Sequence, residues 1–228
     1  CAQILAPTAQ YHFCNETLRQ DFYSDSWAYE RCVPHRIFVS SAAIPIKGFH
    51  YLLEALPVIL RQYPDTTVCV PGPDIFHTAG KARLLEQTYH RYLRKYAEAQ
   101  NLLDKVRFLG HLSPQAMKEN YLSSNVFALP STVENSPNSL GEAMLLGVPC
   151  VAADVGGVAT MLRDNSEGVL YQSTTDVRLG HDHPPWNMHC KWKAGPQDFR
   201  RRCGLSVHGP GRHGPGLLPG LAGQTRLR

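Results

Sequence analysis

Between residues 34 and 172 the chain changes its hydrophobic period repeatedly. Short β-branched runs give way to helix-like stretches, and the breaks fall mostly on proline or glycine. "RIFVSS" (36–41) precedes "FHYLLEALPVILRQY" (49–63), and "TTVCVPG" (66–72) precedes a helix expected over 79–101, where Leu85, Tyr89, Tyr92, Leu93 and Tyr96 recur at helical spacing. "KVRFLG" (105–110) is a strand. "SPQAMKENYLSS" (113–124) opens a helix with Ser113 as N-cap and Pro114 at its first position. "NVFALP" (125–130) is a strand, "SLGEAMLLG" (139–147) a helix closed by Gly147, and "VPCVAADV" (148–155) and "GVLYQ" (168–172) are strands. Strand–helix alternation of this kind predicts an α/β fold. It is a Rossmann-like parallel sheet with helices on both faces, whose ligands bind beyond the C-terminal ends of the strands.

The flanks differ in texture. Residues 1–33 are mixed and turn-rich, and read as a linker remnant. From residue 173 the pattern stops, and half of the eighteen glycines fall after residue 179. That tail, 173–228, is expected to be irregular or disordered. Its Gly, Pro, Arg, His, Trp and Cys bias is what a GC-rich stretch read out of frame would give. From Gly180 onward it carries eight Lys or Arg against two acids, so the net +4 of the chain belongs to it and about −2 remains for the rest. No basic face interleaved with aromatics lies upstream, so nucleic acid is not an expected partner. Its His181, His183, His189, Cys190, Cys203 and His208 fit no standard zinc spacing. Seven dispersed cysteines with no Cys-x-x-Cys pair, and no apolar run of about 18 residues, point to a reduced, cytoplasmic location without a transmembrane segment.

One stretch carries chemistry. "NVFALPSTVENSPNSLGEAMLLG" reads as strand, loop and helix, with the helix beginning near Asn138 or Ser139. The first N–H groups of a helix lack intrahelical partners, and its dipole adds partial positive charge, so such an end suits phosphate. Glu134 lies on the loop and Glu142 near the end of the first turn. On spacing alone, a second reading fits equally well: Glu142 serves the helix dipole and Glu134 is a solvated loop acid.

The longer string decides more. "VENSPNSLGEAMLLGVPCVAADVGGVATML" resembles the donor-site segment of GT-B-fold retaining glycosyltransferases of the group 1, or family 4, type. The pattern is Glu-x7-Glu (Glu134, Glu142), Gly-x-Pro-x-Val (Gly147 to Val151) and a Gly-Gly turn (Gly156, Gly157). "IPIKGFHYLLEAL" (44–56), "VRFLGHLS" (106–113) and "MKENYLSSNVFALPS" (117–131) resemble further family segments in the same order. The resemblance spans about residues 33–172. It implies the C-terminal, nucleotide-sugar-binding domain only, with the N-terminal GT-B domain missing and the tail standing where a helix would cross back to that domain.

The resemblance also assigns residues. Glu142 would accept hydrogen bonds from the ribose hydroxyls, as a carboxylate suits a vicinal diol. Ser139 and Leu140 would offer backbone N–H groups to the diphosphate, and Lys47 would neutralise it. Glu134 would sit by the reacting carbon, as nucleophile or as electrostatic aid to an oxocarbenium-like transition state. Ser136, Pro137 and Asn138 would shape the sugar pocket, and His111 and Leu112 would lie near the base. The family usually carries an Arg five residues before the lysine; here that position is Ala42. Either another cation replaces it or donor binding is weakened. No Asp-x-Asp metal pair occurs, so no metal and no other cofactor is expected. The implied activity is hexosyl transfer with retention from a nucleotide-diphospho-sugar. The chain alone is expected to be inactive, or a non-catalytic nucleotide-sugar-binding module. It is also expected to self-associate through uncovered apolar surface. The parent enzyme is expected at the inner face of a membrane or free in the cytoplasm.

Overall fold

The computed structural model of the chain describes residues 8–10, 17–78, 80, 86–163 and 167–172. Six strands form one sheet: β1 (Arg36–Val39), β2 (Thr67–Val70), β3 (Val106–Phe108), β4 (Val126–Leu129), β5 (Cys150–Ala153) and β6 (Val169–Tyr171). Their order is β3-β2-β1-β4-β5-β6, and every pairing is parallel. Among the described residues, five α-helices accompany them: α1 (Phe49–Gln62), α2 (Thr88–Ala99), α3 (Pro114–Leu122), α4 (Asn138–Leu146) and α5 (Val158–Met161).

The two-residue period of a strand sorts its side chains between two cores. Ile37, Val39, Val68, Val70, Val126, Ala128 and Val151 face α1 and α2. Phe38, Cys69, Phe127, Leu129, Cys150 and Ala152 face α3, α4 and α5. Both faces are therefore apolar, which is why these strands read as continuous hydrophobic runs.

Local signals set the helix ends. Ser113 Oγ accepts the Ala116 N–H at 3.2 Å, as an N-cap should. At the other end of α4, Gly147 is left-handed at φ 77°. Its N–H donates to Met144 O at 3.1 Å, and the Val148 N–H donates to Ala143 O at 2.9 Å. This is a Schellman closure with buried Val148 against buried Ala143.

The helix expected over 79–101 is shorter. Gln87 is extended (φ −61°, ψ 146°), and helix begins at Thr88. Buried Arg94 supplies the reason. Its Nε and Nη2 donate to Glu86 at 3.1 Å each and its Nη1 donates to Glu98 at 2.7 Å, which draws the preceding strand of chain back along α2. Residues 79 and 81–85, including Leu85, lie outside the described residues, as does the tail from 173 onward.

Residues 17–33 lie against α3 and α4. Phe22 is fully buried and meets the Tyr121 ring edge-on at 5.8 Å. The Trp27 N–H donates to Leu146 O at 2.7 Å, and its indole N–H donates to Ser124 O at 2.8 Å. Burying an aromatic of this size contributes about 2–3 kcal/mol, so this segment is part of the packed layer.

Candidate functional site

Strand β1 is flanked by β2 on one side and β4 on the other, so the chain reverses its direction of winding between β1 and β4. At such a switch point the loops leaving the two strands diverge and open a crevice. The loop after β1 carries Lys47, in a single 3-10 turn (Pro45–Lys47) that hands over to α1 through left-handed Gly48. The loop after β4 carries Glu134. Lys47 Nζ donates to Glu134 Oε1 at 2.7 Å, across the crevice. The lysine side chain is 34 % exposed and the carboxylate 9 %.

Glycines fix this geometry by letting backbones touch. A Cβ on Gly48 would stand 1.7 Å from Pro130 O. A Cβ on Gly156 would stand 1.8 Å from Glu134 O, and one on Gly157 1.8 Å from Asn135 O. The Gly157 N–H donates to Glu134 O at 3.2 Å. The Gly-Gly turn after β5 is thus the clamp under the acidic loop, and Gly48 brings the lysine turn against the end of β4.

Helix α4 begins at the same crevice. Asn138 and Ser139 precede any intrahelical acceptor, so their amides are the ones this end presents. Leu140 differs from the sequence expectation. It is fully buried, and its N–H donates to Pro137 O at 3.0 Å in a tight first turn. Ser136 and Asn138 are exposed beside it, and Pro137 is buried beneath. The Tyr121 hydroxyl donates to Ser139 O at 3.0 Å, which holds the turn from below. Burial, with Glu142 alongside, raises the Tyr121 phenol well above its ordinary pKa, so it stays protonated and can donate.

Glu142 lies one turn further on and is almost fully buried. Both its oxygens are taken by one guanidinium: Arg19 Nε donates to Oε1 at 2.7 Å and Nη2 to Oε2 at 2.8 Å. That hydrogen bonding raises the Arg19 pKa further. The two glutamates therefore each carry their own cation, Lys47 and Arg19.

The sequence pattern of the family described as Glycosyl transferases group 1 matches residues 33–180. The chain belongs to this family. Among relatives of the group 1 chain, the D-inositol 3-phosphate glycosyltransferase of Nocardia farcinica is 28 % identical over 164 residues, covering 71 % of this chain and 33 % of that protein. The corresponding protein of Geodermatophilus obscurus is 35 % identical over 128 residues, covering 56 % and 28 %. The chain thus spans about a third of the length of the curated relatives it matches. Anabaena HepE, solved in complex with UDP and glucose, superposes with a TM-score of 0.53 at 26 % identity, covering 68 % of this chain and 38 % of that one. The C-terminal domain of the group 1 protein LpcC from Francisella tularensis shares the fold, with a TM-score of 0.60 at 17 % identity over 82 % of this chain and 97 % of that one.

In this group 1 chain Ala42 is buried within the α1-side core, so the position carries no cation. Exposed His111 and half-buried Leu112 follow β3, three places from β4 in the sheet. A backbone bridge between Gly72 and Gly110, with N–H···O distances of 2.7 and 3.0 Å, ties the loops after β2 and β3 together there. The sequence reading missed three contributors. Arg19 meets Glu142 from 123 positions away, beyond any local pattern. Tyr121 reads as a core aromatic within its helix. The Ser131 hydroxyl, buried at the end of β4, has no partner among the described residues; a buried polar atom of this kind calls for one. No described helix is long and apolar enough to cross a membrane.

Proposed function

We propose that this chain is the donor-binding, C-terminal half of a GT-B-fold, retaining group 1 glycosyltransferase. The observation that carries the reading is the Lys47–Glu134 pair at the β1–β4 switch point, beside the amide end of α4. A diphosphate entering there meets Lys47 as a compact cation and the Ser139 amide at the positive end of the helix. Lys47 then leaves Glu134, and the freed carboxylate faces the anomeric carbon, where positive charge grows in the transition state. Ser136, Pro137 and Asn138 line the sugar side. Four neighbouring strands span about 14 Å from β4 to β3 at ~4.8 Å each. That spacing supports a reading in which the base lies by His111 and Leu112 and the sugar by Glu134. Glu142 takes the ribose hydroxyls. No step calls on a metal.

The acceptor side and the second wall of the cleft would come from an N-terminal domain. Ile44, Ile46 and Val133 stand exposed around the crevice (47, 41 and 62 %) and would face that domain. On this chain alone they form the surface for self-association. We therefore expect nucleotide-sugar binding without efficient transfer by the isolated chain. We place the parent enzyme in the cytoplasm or at the inner face of a membrane.

Thermal unfolding with UDP, GDP, ADP and their sugars tests the reading, alongside Glu142→Ala and Lys47→Met. A ligand at 100 times its Kd adds about 2.7 kcal/mol. A shift with one nucleotide, lost in both variants, is expected; the UDP complex of Anabaena HepE makes UDP the first candidate. A shift that survives both substitutions would refute the site.

A further inference from the structure

Arg19 comes from outside the motifs that define the family pattern, yet it holds the carboxylate assigned to the ribose. Its two N–H groups occupy one lone pair on each Glu142 oxygen, side by side. The Glu142 side chain is 5 % exposed, so its remaining lone pairs do not open to solvent. A vicinal diol needs those same oxygens, so diol and guanidinium compete for them.

The mobile member of the pair is identifiable. Glu142 sits among fully buried neighbours, Leu140, Ala143 and Leu145, on a helix closed at its C-terminal end. The Arg19 side chain is 40 % exposed and lies 4.7 Å over the Phe22 ring. Leu18 seats it: a Cβ added to Gly141 would stand 2.9 Å from Leu18 Cδ1, so the missing side chain of Gly141 is what admits Leu18 against α4. Phe22 and Trp27 anchor the segment further along, and the Phe22 N–H donates to Arg19 O at 3.2 Å, so the half-exposed Arg19 side chain can swing off Glu142 while its backbone and Phe22 stay in place.

We propose that Arg19 is a latch on Glu142 that the donor's ribose diol displaces, so that Arg19 and its Leu18 seat set donor affinity. The proposal rests on Glu142 being the ribose acceptor. Both states of the carboxylate are then paired: with Arg19 in the free protein, with two hydroxyl donors in the complex.

The test is calorimetric titration of the full chain with UDP, GDP and ADP, and with their 2′,3′-dideoxy counterparts, in wild type, Arg19→Met, Leu18→Ala and Glu142→Ala. Urea unfolding checks that each variant is folded. Leu18→Ala keeps both members of the ion pair, so it carries the test if Arg19→Met does not fold. The expected result is a nucleotide that binds at least fivefold more tightly to Leu18→Ala and Arg19→Met, while its dideoxy counterpart binds all three proteins alike. Unchanged or weaker binding in the folded variants overturns the latch, as does an equal gain for the dideoxy form. If wild type binds and Glu142→Ala does not, the donor site stands even where the latch falls. If neither wild type nor any variant binds a nucleotide, both fall.

Discussion

Gly48 and Gly110 have nearly the same backbone, φ 66° and 68°, but different surroundings. Around a Cβ at Gly110 nothing lies within 4 Å, whereas at Gly48 Pro130 O lies at 1.7 Å. Gly110→Ala therefore bears only the left-handed penalty, about 1–2 kcal/mol. Gly48→Ala bears the same penalty and must also part α1 from the end of β4 by roughly 1.7 Å to reach ordinary contact near 3.4 Å. The obstacle is a backbone carbonyl, which has no rotamer to escape into. Parting the two breaks the Thr132 N–H to Ile46 O bond, now 2.9 Å, and stretches the Lys47–Glu134 pair, now 2.7 Å. Overpacking costs about 1–3 kcal/mol and the lost hydrogen bond about 1 kcal/mol. Gly48→Ala should thus be less stable than Gly110→Ala by about 2–4 kcal/mol, a large part of the roughly 5–15 kcal/mol that holds a typical domain together. Urea unfolding at matched m-values reads this directly. Equal losses in the two variants would refute the reasoning, because the strain would then be conformational alone and the crevice would not depend on that contact.

Two further outcomes follow from buried groups. Tyr121→Phe removes the hydroxyl that donates to Ser139 O but keeps a ring packed on Phe22, Phe38 and Phe127. It should cost about 1 kcal/mol, against about 3–5 for Tyr121→Ala, measured as Tm shifts; an unshifted Tm for Tyr121→Phe would show that the bond to α4 is not made. Burial pushes the Cys32 thiol up to about 11, beside carbonyls of Ala28, Leu122 and Ser124. Since only the thiolate reacts, its alkylation in the folded protein, followed by peptide mass spectrometry, should rise about tenfold per pH unit from pH 8 to 10; a plateau by pH 9 would contradict that burial.

The α/β class was legible because two hydrophobic periods alternate along one stretch, and because Ser113 and Gly147 act within a turn of themselves. These are short-range effects, so the order of residues is enough to specify them. The helix of 79–101 failed for the complementary reason. Tyr89, Tyr92 and Tyr96 keep helical spacing, but the start was decided by a buried Arg94–Glu86 pair that no periodicity records.

The candidate site divides the same way. Glu134, Glu142, Lys47 and the start of α4 could be named from motif and order, since each lies where a strand ends or a helix begins. Strand order was decided only in three dimensions. It sets β1 beside β4 and so brings Lys47 within 2.7 Å of a carboxylate 87 positions away. It also decided that Gly156 and Gly157 clamp the acidic loop, that the Leu140 amide is already engaged, and that Glu142 is held by Arg19. The sequence by itself determined which chemistry the strand ends carry, because side-chain type and local turn are written in neighbouring residues. Only the tertiary structure decided which charges meet. Charge pairing depends on distances between segments that packing, rather than sequence proximity, brings together.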